Sequence, residues 1–209
     1  MSEAVVLIDS CKKLKSSGIL AGTAGNLSVR CKGDPSCFLI TPSGVDYDAL
    51  VEQSIVKIHM ETGRCEGKLK PSIEKDLHRS IYLNRPDVNA VVHTHSTFCT
   101  AMACVNKSLP VFNVESASIG NVPLVRYECP GSIELAEAVS DTLKGHRCAL
   151  MANHGMISTG SSIGEALYFA ILLENCCKTY VMASTVGEVV PLSSEQIQKA
   201  ISMLKSYGQ

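Results

Sequence analysis

The sequence predicts one α/β domain in which helices pack around a central sheet. Short runs that are apolar or alternate in polarity, bounded by Gly, Pro, Ser and Asp, are typical of strands. Longer segments with apolar residues at helical spacing lie between them. The 209 residues contain no internal repeat and no low-complexity linker, so we predict a single domain over residues 1–209. Strands and helices do not alternate regularly, so the pattern is not one of repeated βαβ units.

Six segments are predicted to be helical from their apolar period and their end signals. Gly18 ends the first. Ser72 is predicted to cap the second, with Glu74 in its first turn, and the sequence Pro130-Gly131-Ser132 starts the fourth. In chain order the segments are residues 3–17, 72–84, 97–105, 133–143, 162–184 and 193–206.

Seven short segments are predicted to be strands. The first two are joined by residues 31–36, where Gly33, Asp34 and Pro35 indicate a hairpin turn. The strands are residues 27–30, 37–40, 55–60, the apolar run that ends at His95, 111–114, 122–125 and 149–153.

Two histidines, His93 and His95, end one of these apolar runs. Residues i and i+2 of a strand point to the same face, so both imidazoles project into one space. His154 follows another apolar segment, and spacing alone adds it as a third ligand. Three imidazoles and one vacant position are the usual shell of a catalytic divalent metal. The alternative is a set of hydrogen-bonded core histidines, although a core rarely supplies partners for adjacent neutral imidazoles.

A metal held by neutral imidazoles can act as a Lewis acid on a carbonyl oxygen, but the site still needs a group that transfers protons. Glu74 is the candidate, because it lies near the positive end of a helix. The alternative is a capping or exposed carboxylate. His78, one turn further along, is interpreted as structural.

Three small polar segments, around Asn26, around Ser43-Gly44 and at Ser72, offer backbone N–H groups and short donors. Loops of this kind can hold phosphate. No Lys or Arg lies among them, so neutral donors would hold the anion. The alternative is that each segment is an ordinary turn.

Composition excludes several classes of function. The net charge is −1 with no basic stripe, so neither nucleic acid nor an anionic membrane is an expected partner. The absence of Trp and the 5% aromatic content argue against stacking platforms. No 18-residue apolar segment predicts a membrane span, and the N-terminus does not match a secretion signal. None of the ten cysteines forms a CxxC pair, so we expect reduced thiols in a cytoplasmic protein rather than a disulfide framework.

Five motifs occur in an order that resembles the class II aldolase and adducin family, of the fuculose-phosphate type. The resemblance extends from about residue 4 to Gly208. The motifs are Gly22-Thr23-Ala24-Gly25-Asn26-Leu27-Ser28, Ile40-Thr41-Pro42-Ser43-Gly44, Pro71-Ser72-Ile73-Glu74, Arg85-Pro86-Asp87 leading into His93-Thr94-His95, and Asn153-His154-Gly155.

The resemblance implies a three-layer α/β/α fold with a largely antiparallel central sheet, and a homotetramer with active sites at subunit interfaces. It implies one Zn²⁺ per subunit, although imidazole also suits other divalent metals. The implied residues are His93, His95, His154 and Glu74 as metal ligands, Glu74 also as the acid/base, Tyr207 as a residue that closes over the site, and Asn26, Ser43, Gly44 and Ser72 as phosphate ligands.

Two positions depart from the family pattern. Ile73 stands where the pattern PSSE has a second Ser, so one phosphate contact is lost. Val114 stands where the fuculose-phosphate type has a tyrosine proton donor, and the adjacent Glu115 is a weak substitute.

The resemblance predicts a metal-dependent aldolase that cleaves a ketose 1-phosphate, similar to L-fuculose 1-phosphate, into dihydroxyacetone phosphate and an aldehyde. The sugar phosphate is then the expected small-molecule partner. The alternatives are an epimerase, dehydratase or decarboxylase on the same fold, or an adducin-like scaffold without chemistry.

Overall fold

A single eight-stranded sheet forms the centre of the structure, a computed structural model that describes residues 2–206. The strands are β1 (Asn26–Arg30), β2 (Cys37–Ile40), β3 (Val56–His59), β4 (Cys65–Glu66), β5 (Ala90–Thr94), β6 (Leu124–Val125), β7 (Cys148–Met151) and β8 (Gly155–Gly160). They lie in the order β4-β3-β2-β1-β5-β8-β7-β6. Every neighbouring pair is antiparallel except β6 and β7. The largely antiparallel sheet of an α/β fold is thereby confirmed.

Helices cover both faces of this sheet. They are α1 (Glu3–Ser16), α2 (Lys75–Asn84), α3 (Thr97–Cys104), α4 (Val114–Ile119), α5 (Ile133–Thr142), α6 (Ile163–Val186) and α7 (Ser194–Ser206), with short 3₁₀ turns at Tyr47–Ala49 and Glu52–Ser54. One core cluster joins α1, α3 and α6 to the face that carries Ala90 and Val92. A second cluster joins α2 and α5 to the face that carries Val91. Because side chains alternate along β5, His93 belongs to the face that α2 covers.

The prediction of a strand at residues 111–114 is wrong. Val114 begins helix α4, and Asn113 caps it by accepting a hydrogen bond from Ser116 N at 2.8 Å. The Ser116 hydroxyl in turn accepts from Asn113 N at 3.0 Å. This reciprocal capping outweighs the strand preference of the apolar residues before it.

Helix α2 begins three residues later than predicted. Glu74 occupies the position before its first residue, Lys75, and Ser72 lies further upstream. The Ser72 hydroxyl accepts a hydrogen bond from Glu74 N at 3.2 Å, so it fixes the turn that leads into the helix. The predicted capping role of Ser72 is therefore corrected to that of a residue outside the helix end.

Strand β8 was not predicted. Its six residues are buried, and it pairs with β5 on one side and β7 on the other. Glycines at both of its ends, Gly155 and Gly160, weaken the local strand signal. Tertiary pairing supplies the stability that local preference lacks. No helix in residues 2–206 is long and apolar enough to cross a bilayer.

Candidate metal centre and active site

His93 lies near the end of β5, the strand between β1 and β8, and His95 follows directly after the strand. His93 is fully buried, and its Nδ1 donates to the carbonyl oxygen of Met156 at 2.9 Å. Nδ1 therefore carries a proton, and Nε2 is the ring nitrogen that faces His95 and Glu74. The Nε2 atoms of His93 and His95 are 3.0 Å apart. The predicted meeting of these two imidazoles on one face is what the structure shows.

His154 joins them from the turn between β7 and β8. Asn153 in this turn has φ +55°, a left-handed conformation that Asn tolerates better than most residues. The turn brings the His154 ring to 4.8 Å, centroid to centroid, from the rings of both His93 and His95. The three imidazoles form the only cluster of three metal-ligating side chains found within residues 2–206.

Two glycines allow neighbouring segments to approach the strand that carries the histidines. A Cβ on Gly25 would lie 2.5 Å from the carbonyl oxygen of His93, and Gly25 also has φ +84°. A Cβ on Gly155 would overlap the carbonyl oxygen of Thr94. Side chains at either position would push β1 or β8 away from β5, so both glycines maintain the spacing of the site.

Glu74 points its carboxylate at the histidines. Glu74 is 5% exposed, and its side chain makes no capping hydrogen bond to α2. Oε2 lies 3.1 Å from His93 Nε2, and Oε1 lies 3.4 Å from His154 Nε2. Among the described residues Oε1 has no hydrogen-bond partner. The alternative reading of Glu74 as a helix cap or an exposed carboxylate is therefore wrong.

The charges in this group are coupled. Burial alone would raise the pKa of Glu74, but His93, His154 and the Asn26 amide outweigh it, so the pKa lies below its usual range. Burial and the neighbouring His93 lower the pKa of His95, and they lower that of His154 to about 4. His95 and His154 are therefore neutral near pH 7 and offer lone pairs.

These residues fit a divalent cation. Two imidazole nitrogens 3.0 Å apart need a proton or a cation between them, because each lone pair otherwise faces the other. Two nitrogens bound to one tetrahedral zinc lie about 3.3 Å apart, since each is about 2.0–2.1 Å from the metal. The buried, unpartnered Glu74 Oε1 adds an oxygen donor. Imidazoles and one carboxylate are the donor set that zinc and similar metals prefer.

A cavity of about 490 Å³ is lined by His95, His154 and Glu74. The segments around Ser43-Gly44 and Ser72 meet in its wall through a bridge between Pro42 and Pro71. Ser43 N donates to the carbonyl oxygen of Lys70, so the side-chain hydroxyl and Gly44 N remain for a ligand. No Lys or Arg is among the described residues that line the cavity. The predicted phosphate residues therefore lie together, and their donors are neutral.

Asn26 also lines the cavity, but both ends of its amide are engaged. Nδ2 donates to Glu74 Oε2 at 2.8 Å, and Oδ1 accepts from His78 Nε2 at 2.5 Å. His78 is fully buried, as its interpretation as a structural residue requires. Its direct link to Asn26, and through it to Glu74, was not predicted. Helical spacing places His78 one turn from Glu74 but gives no sign of the β1 residue between them.

Comparison with known proteins identifies the family. The sequence model of the "Class II Aldolase and Adducin N-terminal domain" matches residues 5–181. The L-fuculose phosphate aldolase of Escherichia coli (strain K12) is 37% identical over 205 residues, which are 97% of this chain and 94% of the relative. The chain belongs to the class II aldolase and adducin family.

Two further comparisons support this assignment. The 5-methylthioribulose-1-phosphate/5-deoxyribulose-1-phosphate aldolase of Rhodospirillum rubrum is 36% identical over 204 residues, covering 97% of this class II aldolase and 90% of the relative. A solved structure of L-fuculose 1-phosphate aldolase superposes with a TM-score of 0.91 at 33% identity, covering 97% and 95% of the two chains. These relatives are carbon–carbon lyases, so this class II aldolase is a lyase enzyme. The scaffold alternative receives no support from them.

The predicted residue Tyr207, the departing position Val114 and the weak substitute donor Glu115 are not among the described residues that line this cavity of the class II aldolase. Tyr207 lies beyond the described residues. Val114 and Glu115 are exposed on α4 and are not among the residues that line the cavity of the same chain. Asn153 and Pro130, which do line it, were not singled out as site residues. The adjacency of Asn153 to His154 was the available signal for the first of these.

Proposed function

We propose that the protein is a metal-dependent aldolase that cleaves a ketose 1-phosphate to dihydroxyacetone phosphate and an aldehyde. The observation that carries this proposal is the convergence of His93, His95, His154 and Glu74 beside a cavity with neutral anion-binding loops. The names of the relatives support the substrate class, since L-fuculose, 5-methylthioribulose and 5-deoxyribulose phosphates are all ketose phosphates.

His93, His95 and His154 would hold the metal, with Glu74 as a transient fourth ligand. Zinc is the proposed ion, at about one per chain, and other divalent metals suit the same imidazoles. When bound, the metal would supply Lewis-acid stabilisation of negative charge on the substrate oxygens.

Glu74 is proposed to carry the proton. When the carbon–carbon bond breaks, the electron pair of that bond remains on the carbon next to the carbonyl. That carbon must then gain a proton. Glu74 Oε2 is anchored by Asn26, whereas Oε1 is buried and free of hydrogen bonds within the described chain. Oε1 is therefore the oxygen that would hold the proton and deliver it. The hydroxyl proton lost on the other fragment passes to a base that the described residues do not identify.

The phosphate is proposed to lie against Ser43, Gly44 and Ser72. Their hydroxyls and the Gly44 N–H are donors that line one wall of the cavity. Asn26 Nδ2 has a second hydrogen besides the one donated to Glu74, and it can complete the same cradle. Tyr207 is proposed to close over the bound substrate.

The proposal also covers the number of domains, the oligomeric state and the cellular location. We propose that residues 1–209 form one domain and that four copies assemble with active sites at their interfaces. A cytoplasmic location is supported by the cysteines, because all ten are free thiols.

Purified wild-type protein and Glu74→Gln should be assayed with a panel of ketose 1-phosphates, with released dihydroxyacetone phosphate as the readout. We expect about one metal ion per chain in both proteins and loss of most turnover in Glu74→Gln. Product masses separate the alternatives, since an epimerase releases no fragment and a decarboxylase releases carbon dioxide. Metal occupancy far below one per chain, or full activity in Glu74→Gln, would overturn the proposal.

A further inference from the structure

A buried series of four hydrogen bonds ends on Glu74, and we call it the hydrogen-bond relay. Tyr82 OH lies 2.7 Å from Ser28 Oγ, which lies 2.6 Å from His78 Nδ1. His78 Nε2 lies 2.5 Å from Asn26 Oδ1, and Asn26 Nδ2 lies 2.8 Å from Glu74 Oε2. The relay therefore runs from the last turn of α2 to β1, back to His78 in α2, again to β1, and finally to the residue that precedes α2.

The direction of every donor in the relay follows from its end. An ionised Glu74 can only accept, so Asn26 must present Nδ2 to it and turn Oδ1 towards His78. Oδ1 can only accept, so His78 carries its proton on Nε2 and has a lone pair on Nδ1. Ser28 then donates to Nδ1, and Tyr82 donates to Ser28. All four donors point towards Glu74.

No member of the relay can easily exchange its partner for solvent. His78 and Ser28 are fully buried, and Tyr82, Asn26 and Glu74 are at most 5% exposed. Burial lowers the pKa of His78 to about 3, so the imidazole is neutral and its single proton stays on Nε2. A buried polar group without its partner costs more than the bond itself contributes, so each member holds the next.

We propose that His78 is a positioning residue, which locks the Asn26 amide so that it anchors Glu74 Oε2 and leaves Oε1 free as the proton carrier. Through this action on Glu74 the inference rests on the proposed function. His78 itself does not line the cavity. Without the N–H of His78, no described residue donates to Asn26 Oδ1, and the amide can rotate and turn its oxygen towards the carboxylate. The two oxygens would repel each other, and Glu74 would leave its position.

Two variants at one position separate this role from simple packing. His78→Gln keeps an N–H donor near the place of Nε2, whereas His78→Leu has similar bulk and no donor. We expect His78→Leu to lower kcat by about ten- to a hundred-fold, as for other residues that orient a site from behind. KM should rise by a smaller factor than kcat falls, because Ser43, Gly44 and Ser72 of the proposed cradle are unchanged and only its Asn26 donor is disturbed. His78→Gln should recover most of kcat.

A matched pair of buried serines serves as a second test, should His78→Leu fail to fold. Ser28→Ala breaks the relay. Ser158→Ala instead removes a hydroxyl that donates to the carbonyl oxygen of Ala166 in α6, away from the relay. Both residues are fully buried. We expect Ser28→Ala to lower kcat, and Ser158→Ala to lower thermal stability without lowering kcat.

Nuclear magnetic resonance gives a readout that does not need substrate. In wild-type protein the ring ¹⁵N signals of His78 should show a neutral imidazole protonated on Nε2. The Asn26 side-chain amide should give one protected pair of N–H signals in wild type and His78→Gln, and exchange-broadened signals in His78→Leu.

The outcomes distinguish the two proposals. An inactive wild type with the expected ¹⁵N signals would overturn the ketose 1-phosphate assignment and keep the geometry of the relay. An active wild type with unchanged kcat in both His78→Leu and Ser28→Ala would overturn the positioning role alone. A proton on Nδ1 of His78 would overturn the direction of the relay.

Discussion

His78 makes the free energy of unfolding depend on pH, and the size of this dependence can be calculated. Its pKa lies at about 3 in the folded protein, mainly because burial opposes the charged form, against an ordinary value of 6.5. Below about pH 6.5 the unfolded chain therefore binds a proton that the folded protein does not. The stability that His78 contributes is complete above pH 6.5 and is lost as the pH falls towards 3.

The size of the loss follows from the shift. One pKa unit corresponds to about 1.4 kcal/mol, so between about pH 7 and pH 5 His78 alone should lower the free energy of unfolding by about 2 kcal/mol. His78→Gln keeps the donor to Asn26 but cannot be protonated. Its free energy of unfolding should therefore fall by about 2 kcal/mol less than that of wild type over the same interval.

Urea unfolding at the two pH values, with a chelator present so that metal binding does not contribute, measures this difference. Tyr82→Phe is the matched control, since it removes a hydrogen bond from the same cluster but keeps the imidazole. It should be less stable than wild type at both pH values and show the wild-type loss between them. An equal loss in wild type and His78→Gln would refute the claim that the buried His78 resists protonation.

Three further substitutions test the geometry of the site. Gly25→Ala should destabilise the protein by roughly 1–3 kcal/mol more than Gly22→Ala in urea unfolding. Both positions have positive φ, but only the methyl at Gly25 would meet a backbone atom, the carbonyl oxygen of His93. Glu174→Gln should cost about 1 kcal/mol in the same assay, because the carboxylate accepts two N–H groups, each at 2.9 Å, at the start of α3. Ile73→Ser should lower KM for a ketose 1-phosphate roughly five-fold by adding one hydroxyl donor beside Ser72, and an unchanged KM would place the phosphate elsewhere.

The convergence of His93 and His95 was predictable because its signal is local. His93 and His95 are two apart at the end of an extended run, and a period of two is enough to put them on one face. The ends of α1, α5 and α6 were close to their predictions for the same reason, since a cap or a glycine lies within a few residues of each end. Such features depend on the chain within one or two turns.

Features that depend on distant partners were not predictable from pattern. The role of Glu74 depends on where its carboxylate points, and a residue before a helix can cap it or turn away. Strand β8 is stable because β5 and β7 both pair with it, which its own glycine-bounded sequence does not reveal. His78 depends on Ser28 and Asn26, which are about fifty residues away in the chain.

Register connects the predictable and unpredictable parts of the site. Asn26 lies opposite His93 in the pairing of β1 with β5, and Ser28 lies opposite Val91. Side chains directly opposite each other share a face, so this pairing places the relay and the proposed metal ligands on the side that α2 covers. A slip of one residue would turn Asn26 and Ser28 towards α1, α3 and α6. Glu74 would then lose its anchor, although every proposed ligand residue would still be present in the sequence. The chemistry of this site therefore depends on the register of β1 as much as on the histidines themselves.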